Sequence, residues 1–234
     1  MAGFVVTGGT GALGREVVRA LLARGDSVAV PYRGEEGWRT LQEEMKAPGR
    51  LWGASVDLAD AAATARFVSS AVAQLGGAGG IGGVAAIAGG YAGSGTLAEA
   101  AETDWPRMMR ANLDSVYSIA RAALPHLRKT RGGMVLVGSK LVEGGGAGSA
   151  AYVVSKAGVV ALARVLALEN KDTGVRVNCV LPAIIDTPKN RDAMPKANRA
   201  GWTPPDAIAR VILFLLSAES APVTGAVVPV DAAV

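Results

Sequence analysis

The stretch Gly3-Phe-Val-Val-Thr-Gly-Gly-Thr-Gly-Ala-Leu-Gly14 joins a short apolar run to a glycine-rich loop, and an amphipathic segment follows from Arg15 to Arg24. Glycine permits sharp turns and close backbone approach, while a helix N-terminus offers unpaired N–H groups and a positive dipole end. Strand, loop and helix in this order predict a cradle for the pyrophosphate of a dinucleotide, although a plain turn is the alternative. The residues expected at this cofactor site are Thr7, Gly8, Gly11, Leu13 and Gly14.

The next apolar stretch, Ser27 to Arg33, predicts a second strand. An acidic residue at the end of such a strand normally binds the hydroxyls of the adenosine ribose. Here Arg33 stands at that end, and a guanidinium suits a 2′-phosphate, so the sequence favours NADP(H) over NAD(H). Alternatively, Glu35 and Glu36 could pair with Arg33 at a solvated helix start.

Apolar runs that predict strands alternate with helical segments along the rest of the chain. Further strands are expected at residues 51–58, 84–88, 134–138, 175–181 and 226–231. Further helices are expected at residues 35–46, 61–75, 103–129, 149–170 and 204–216. This alternation predicts an α/β fold, a Rossmann-like doubly wound parallel β-sheet of about seven strands flanked by helices, with its site at the carboxyl ends of the strands.

We interpret residues 1–234 as a single dinucleotide-binding catalytic domain, because the composition does not change between its halves. Residues 76–95 hold ten glycines, as a flexible linker would, but Val84 to Ala88 in their middle predicts a buried strand. The small residues are therefore expected to let a cofactor approach closely, which places Ala88 and Gly89 at its site. Residues 183–203, with several prolines and charged clusters, predict a substrate loop.

Composition and charge exclude several classes of function. The chain has 234 residues, a net charge of +4, one cysteine and one histidine. Because its cations are scattered, we predict no nucleic-acid partner. No apolar run approaches the roughly 18 to 20 residues that span a bilayer, so we predict no membrane association and a cytoplasmic location. Cys179 is interpreted as a buried small hydrophobe, His126 receives no catalytic role, and no metal site is predicted.

The segment from Ser149 to Val160 carries the residues that suggest catalysis. With Ser149 as N-cap, Tyr152 and Lys156 lie four residues apart on one helix face. An ammonium beside a phenol favours the phenolate and lowers the phenol pKa from about 10, so that the phenol can act as a general acid or base. Such a pair can also arise by chance. Ser139, at the end of an apolar run, is expected to bring a hydroxyl to the same sheet edge.

These features together resemble a single-domain short-chain dehydrogenase/reductase over essentially the whole chain. The markers are Thr7 to Gly14, Asp57-Leu58, Asn112, Ser139, Tyr152 with Lys156, Pro182 followed by Thr187, Thr224-Gly225 and Val230-Asp231. The resemblance implies that Tyr152 is the proton donor or acceptor and that Lys156 lowers its pKa and holds the nicotinamide ribose. It implies that Ser139 hydrogen-bonds the substrate carbonyl.

The same resemblance gives roles to residues whose type alone is uninformative. It implies that Asn112 supports a water-linked proton path, although an Asn at the edge of an apolar stripe is usually a structural amide. Asp57 and Leu58 would flank the adenine. The positions expected near the nicotinamide carboxamide are Ile185 and Thr187, in the segment that begins at Pro182.

Parts of the chain are similar to quinonoid dihydropteridine reductases. They are Ala88 to Gly93 and the elements between Leu181 and Pro204, including Asp186-Thr-Pro, Asn190-Arg191, Met194-Pro195 and Trp202-Thr-Pro. That branch typically lacks the Ser and Asn present here, and it keeps an acid where Tyr32-Arg33 stands. Tyr91, Met194 and Trp202 are expected to border a flat substrate, or else to pin their loops to the body of the protein.

We predict an NADPH-dependent oxidoreductase that reduces a carbonyl or quinonoid C=N group, with a small-molecule carbonyl or pterin-like substrate. One alternative is a 3-oxoacyl-carrier-protein reductase, for which Arg107 and Arg110 could form a basic patch. Another is a non-catalytic NADP-binding sensor, which would have no need of Tyr152 beside Lys156. The apolar helices at 104–129 and 149–170 predict a homodimer or homotetramer.

Overall fold

The strands form one sheet in the computed structural model, which describes residues 2–75 and 80–231. They are β1 (Gly3–Thr7), β2 (Ser27–Tyr32), β3 (Leu51–Ser55), β4 (Ile81–Ala86), β5 (Gly133–Val137), β6 (Arg176–Pro182) and β7 (Val227–Val230). Their order is β3-β2-β1-β4-β5-β6-β7, and every neighbouring pair is parallel. The winding direction reverses between β1 and β4, which is where an open α/β sheet forms its ligand crevice. The predicted fold class is confirmed.

Helices cover both faces of this sheet. They are α1 (Ala12–Ala23), α2 (Glu35–Met45), α3 (Ala61–Leu75), α4 (Asp104–Met108), α5 (Ser115–Thr130), α6 (Leu141–Gly144), α7 (Ala150–Glu169), α8 (Pro188–Ala193) and α9 (Pro205–Leu216). The single helix expected at 103–129 is instead α4 and α5 joined by a π-helical segment, Met109–Asp114. The short helix α8 lies in the stretch 183–203 that was predicted to be a loop, and no element was predicted where α6 lies.

The core consists of two apolar clusters, one on each side of the sheet. Successive strand residues point to opposite faces, so Phe4 and Val6 of β1 belong to one cluster and Val5 to the other. Because helices cover both faces, β1 and β5 are buried along their whole length. This explains why the strands appear in the sequence as continuous apolar runs. Residues 76–79 of the glycine-rich stretch lie outside the described residues, and β4 occupies the middle of the remainder.

Helix α7 corrects one expectation of the sequence analysis. It has 20 residues, and an 18-residue window within it has a mean hydropathy of 1.7, so it is long and apolar enough to cross a membrane by length and composition. The core helix of a globular protein meets the same criterion, so the finding is weak evidence for a membrane. In this fold α7 packs against β6 and the π-helical segment, with Val159 and Ala163 buried in the core. Because packing in the core accounts for this apolar composition, length and composition alone do not identify α7 as a membrane span.

Candidate active site

A large cavity, of about 1920 Å³, lies at the carboxyl ends of the strands. It takes in the loops that follow β1 to β6, because the ends of parallel strands meet at one edge of a sheet. Two predicted site residues, Thr7 and Asn112, are buried and do not line it. The other predicted site residues all line it, namely Gly8, Gly11, Leu13, Gly14, Arg33, Asp57, Leu58, Ala88, Gly89, Ser139, Tyr152, Lys156, Pro182, Ile185 and Thr187.

The glycine-rich loop after β1 has the shape of a phosphate cradle. Gly8 has a φ of +68°, which side chains disfavour, and the N–H of Gly11 donates to the Gly8 carbonyl over 2.9 Å. A Cβ on Gly14 would lie 2.1 Å from the Gly8 oxygen, so only glycine lets α1 pack this closely on the turn. No side chain caps the start of α1. The loop and the first N–H groups of the helix therefore fit an anionic pyrophosphate.

Thr7 links two turns that border the cavity by hydrogen bonds. Its Oγ1 accepts hydrogen bonds from the backbone N–H groups of Ile87 and Ala88, each over 3.0 Å. The hydroxyl thereby joins the end of β1 to the turn after β4, the strand that pairs with β1. In the structure it shapes the two loops that border the cavity, and a direct contact of Thr7 with the cofactor stays a prediction.

Arg33 stands exposed at the end of β2, where the cavity begins to widen. Within residues 2–75 and 80–231 it makes no ion pair. Glu35 instead accepts a hydrogen bond from the Tyr32 hydroxyl over 3.3 Å. The alternative in which Glu35 and Glu36 hold Arg33 is therefore not observed, and the guanidinium remains available to an anion.

Asp57 lies beyond β3 and is held as a carboxylate. A hydrogen bond from the Ala59 N–H lowers its pKa most, and the Arg110 guanidinium lowers it further. Arg110 belongs to the π-helical segment, and its Nη2 lies 2.5 Å from Asp57 Oδ2. The sequence analysis missed this pair, because no local pattern connects residues 53 positions apart. Because Arg110 is paired with Asp57, it is unsuited to the free basic patch that was considered above for a carrier-protein reductase.

The Tyr152 phenol and the Ser139 hydroxyl lie beside each other in the cavity. Burial raises the pKa of the Tyr152 phenol, and hydrogen bonding with Ser139 lowers it in part. The expected lowering by Lys156 is not observed, and Lys156 is not among the groups that shift this pKa. The phenol consequently holds its proton at neutral pH and is suited to act as an acid.

Lys156 is buried beneath the cavity floor, and its Nζ donates to the Val137 carbonyl over 2.8 Å. Burial lowers the pKa of this ammonium to about 8. The contact holds Lys156 at the end of β5, and within the described residues the phenol of Tyr152 is not among its hydrogen-bond partners. Its partner is a backbone carbonyl, which residue types and spacing could not reveal.

Asn112 lies in the π-helical segment and is fully buried. Its Oδ1 accepts from the Gly90 N–H over 2.8 Å, and its Nδ2 donates to the Gly90 carbonyl over 3.1 Å and to Ser155 Oγ over 2.9 Å. The side chain thus ties the turn after β4 to α7. The geometry matches the structural amide that the sequence analysis also considered, so the water-linked proton path stays a prediction.

Gly89 fits between the amide of Asn112 and the ammonium of Lys156. A Cβ there would lie 2.5 Å from Asn112 Oδ1 and 3.3 Å from Lys156 Nζ. The turn after β4 can therefore approach these two side chains only as bare backbone. This explains in physical terms why a glycine follows the buried strand.

Two of the three residues that were expected to border a flat substrate line the cavity. Tyr91 and Met194 line it, whereas Trp202 is only 6% exposed and does not. Arg199 lies over the Trp202 ring, 5.7 Å from its centroid, and the adjacent Thr203 forms a β-bridge with Ile185. Trp202 therefore pins the loop at residues 183–203 to the protein, as the alternative interpretation proposed.

Comparisons with known proteins agree with this geometry. Residues 9–233 match the family model described as Enoyl-(Acyl carrier protein) reductase. The 4-formylbenzenesulfonate dehydrogenase of Comamonas testosteroni is 34% identical over 242 residues, which cover 97% of this chain and 95% of that protein.

Two solved structures share the fold. A short-chain type dehydrogenase/reductase from Mycobacterium ulcerans has a TM-score of 0.91 at 25% identity, over 98% of this chain and 88% of the other. An NADPH-bound short chain oxidoreductase from Pseudomonas aeruginosa, which contains an atypical catalytic center, has a TM-score of 0.89 at 30% identity, over 98% and 95%. The chain therefore belongs to the short-chain dehydrogenase/reductase family of NAD(P)-dependent oxidoreductases.

Proposed function

We propose that this chain uses NADPH to reduce a small carbonyl or quinonoid C=N group, with Tyr152 as the proton donor. The observation that carries the proposal is one continuous cavity, which has the glycine cradle at one end and the Tyr152 phenol beside Ser139 at the other. A dinucleotide that spans the cavity would bring its nicotinamide to the phenol.

Residues along the cavity fit such a cofactor. The loop from Gly8 to Gly14 would hold the pyrophosphate, since it lines the cavity and leads into the N-terminus of α1, where Gly11 has no side chain to cap the first N–H groups. Asp57 and Leu58 would flank the adenine, and Lys156 the nicotinamide ribose. The residues assigned to the carboxamide side are Pro182, Ile185 and Thr187. The preference for NADP(H) over NAD(H) rests on Arg33, a cation with no ion pair in the described part of the chain.

When bound, NADPH would supply the hydride that reduces the substrate carbon. Ser139 donates a hydrogen bond to the substrate oxygen and holds it near the phenol. Tyr152, protonated because burial raises its pKa, donates the proton that turns this oxygen into a hydroxyl. Lys156, with a pKa of about 8, supplies positive charge beneath the site at pH 7. Asn112 holds the turn after β4, so we assign it a positioning role.

The test is NADPH turnover over a panel of carbonyl compounds, with wild type and Tyr152→Phe compared. We expect kcat to fall roughly a hundredfold or more, because general acid catalysis typically contributes this much. NADPH affinity, measured by fluorescence titration, should stay nearly unchanged. Tyr117→Phe is the matched control, since Tyr117 lies exposed on α5 outside the cavity. Equal kcat in wild type and Tyr152→Phe would show that the phenol is not the acid.

Quinonoid dihydropterin is the substrate that the similarity to dihydropteridine reductases suggests. Tyr91 and Met194 support it, because they put an aromatic ring and a polarisable apolar side chain on the cavity wall. Proton delivery from Tyr152 would serve a ring nitrogen as well as a ketone. Failure to reduce quinonoid dihydropterin, together with reduction of small ketones, would leave a general carbonyl reductase.

A 3-oxoacyl-carrier-protein reductase is the alternative, and relatives named 3-oxoacyl-[acyl-carrier-protein] reductase MabA, 29% identical over 97% of this chain, support it. It would need a basic surface for an acidic carrier. Arg107 is paired with Asp104 and Arg110 with Asp57, so neither offers a free cation. Turnover of a 3-oxoacyl thioester at a rate far above that of free ketones would favour this alternative. The non-catalytic sensor is set aside, since the chain belongs to a family of oxidoreductases.

Assembly and location complete the proposal. We infer a homodimer or homotetramer, which is supported by the apolar side chains exposed on α5 and α7. The single catalytic domain over residues 1–234 is supported by the one sheet that the described residues build. The cytoplasmic location and the absence of nucleic-acid, membrane and metal partners stay predictions from composition.

A further inference from the structure

Tyr91 occupies an unusual position beside the proposed proton donor. Its ring centroid lies 5.0 Å from that of Tyr152, with an angle of 67° between the ring planes, which is an edge-to-face contact. The side chain nevertheless remains 63% exposed and lines the cavity. An aromatic ring packed against the Tyr152 phenol therefore presents much of its surface to whatever occupies the site.

The backbone around Tyr91 is shaped to seat this ring. A Cβ on Gly93 would lie 2.5 Å from the Tyr91 hydroxyl oxygen and 3.1 Å from its Cζ. Any side chain at position 93 would thus push the ring away from its place beside Tyr152. The absence of a side chain at Gly93 therefore leaves room for the Tyr91 ring beside Tyr152.

The cavity lining also includes aliphatic side chains on the loops after β5 and β6. Leu141 after β5 and Ile184 after β6 are large apolar side chains that stay partly exposed, and they line the same cavity as Met194. Single exposed apolar residues are ordinary, but several around one concave site form a surface that binds apolar groups. One aromatic and several aliphatic surfaces thus border the space in front of Tyr152.

We propose that Tyr91 is a specificity-determining residue that selects planar, conjugated carbonyl substrates by stacking on the substrate ring. This inference rests on the proposed function and names its substrate class. Aryl aldehydes, quinones and quinonoid heterocycles belong to the class, whereas saturated rings cannot offer a flat π-face to Tyr91. The contact between Tyr91 and Tyr152 would keep the stacked ring in register with the proton donor.

The test compares benzaldehyde with cyclohexanecarbaldehyde, which has as many ring carbons but no planar ring. We expect Tyr91→Leu to lower kcat/KM for benzaldehyde about tenfold and to change that for cyclohexanecarbaldehyde less than twofold. Tyr91→Phe, which keeps the ring, should retain the wild-type ratio. Tyr117→Leu is the matched control, because it removes an exposed tyrosine outside the cavity and should leave both values unchanged.

A binding measurement separates this inference from the proposed function. Calorimetric titration of 4-hydroxybenzaldehyde into the NADP⁺-saturated protein should show about tenfold weaker binding to Tyr91→Leu than to wild type, whether or not turnover occurs. Equal affinity in the two proteins would overturn the inference, as would an equal loss of kcat/KM for both aldehydes. Absence of turnover with every carbonyl, alongside the expected difference in affinity, would overturn the proposed reduction and support the stacking role.

Discussion

Lys156 shows how a single residue can oppose stability and serve chemistry. Its ammonium is buried, and burial lowers its pKa from 10.5 to about 8. Between these two pH values the unfolded chain binds more protons than the folded one, so the free energy of unfolding rises with pH across that window. Below about pH 8 the full penalty is present, and 2.5 pH units correspond to about 3 kcal/mol.

Lys156→Met should therefore abolish turnover yet stabilise the fold at pH 7. The buried charge disappears, while the Val137 carbonyl loses its donor at a cost of about 1 kcal/mol, so we expect a net gain of about 2 kcal/mol. Urea unfolding at pH 7 and at pH 10 provides the measurement. The gain should shrink between pH 8 and 10.5, and a variant less stable than wild type at pH 7 would contradict the account.

Arg33→Asp should move cofactor preference toward NADH. The substitution replaces a phosphate-binding fork with a carboxylate that repels the 2′-phosphate and accepts from ribose hydroxyls. Dissociation constants for NADPH and NADH, measured for both proteins, provide the readout. Arg39→Asp is a control of equal charge change on α2, away from the cavity lining. A wild type that binds NADH as tightly as NADPH would remove the basis for the assignment.

At the level of single residues, residue types and spacing were sufficient to predict most of the side chains that line the candidate site. Ser139, Tyr152 and Lys156 could be chosen because each lies at a strand end or on one helix face. The environment of each could not be predicted, since the Val137 carbonyl that holds Lys156 and the burial that raises the pKa of Tyr152 depend on the packed sheet. The same holds for Trp202, which pins its loop and does not border the substrate.

Among the elements, the π-helical segment Met109–Asp114 differs most from expectation. Apolar periodicity predicts one long α-helix there. A π-helical turn has a longer hydrogen-bond spacing, and this local change cannot be recognised from residue composition. The segment positions Arg110 to form an ion pair with Asp57, and Asn112 to form hydrogen bonds with Gly90. It therefore contacts two of the loops that border the cavity. Partners far away in sequence set these contacts, and local propensity does not report them.

The packing of α1 on the glycine loop leads to a prediction at the scale of elements. Gly14→Ala would put a Cβ 2.1 Å from the Gly8 oxygen, so the helix must shift away from the turn. We expect unfolding free energy to fall by about 1–3 kcal/mol and NADPH binding to weaken more than tenfold. Urea unfolding and fluorescence titration measure the two effects.

Gly37→Ala is the control for that substitution. Gly37 lies inside α2, and the nearest heavy atom to its added Cβ would be 3.5 Å away, an ordinary contact. Replacing glycine by alanine in a helix interior should raise stability by about 0.5–1 kcal/mol and leave NADPH binding unchanged. Equal behaviour of the two variants would mean that the close approach of α1 to its loop is not required.

For the whole molecule, alternation of strand and helix patterns was enough to predict the doubly wound sheet. Each of the seven expected strands is present, because buried parallel strands need continuous apolar runs that are visible in sequence. Loop conformations were less predictable. The short helices α6 and α8 have too few residues for a periodic pattern, and α8 is capped by the Thr187 side chain, which accepts from the Asn190 N–H.

Self-association is the prediction that belongs to this scale. Val154, Val165 and Leu168 on α7 are exposed, with Leu168 at 76%. Leu168→Glu should convert an oligomer into a species near the chain mass of 23.7 kDa, because a charge in an apolar interface is poorly solvated. Sedimentation at micromolar concentration measures it. Leu97→Glu is the control at an equally exposed leucine outside α5 and α7, and a wild type that is already monomeric would refute the prediction.

The residues that line the cavity extend in the sequence from Gly8 to Pro205. Strand β7, the last strand in chain order, pairs with the edge of β6. A chain still emerging from the ribosome therefore lacks a complete cavity, and a bound dinucleotide cannot stabilise it as it stabilises the finished fold. Until β7 is added, β6 is an open edge that can pair with other chains. A molecule that still lacks β7 therefore exposes an edge that favours aggregation, and we expect a nicotinamide dinucleotide to protect only the finished fold from proteases.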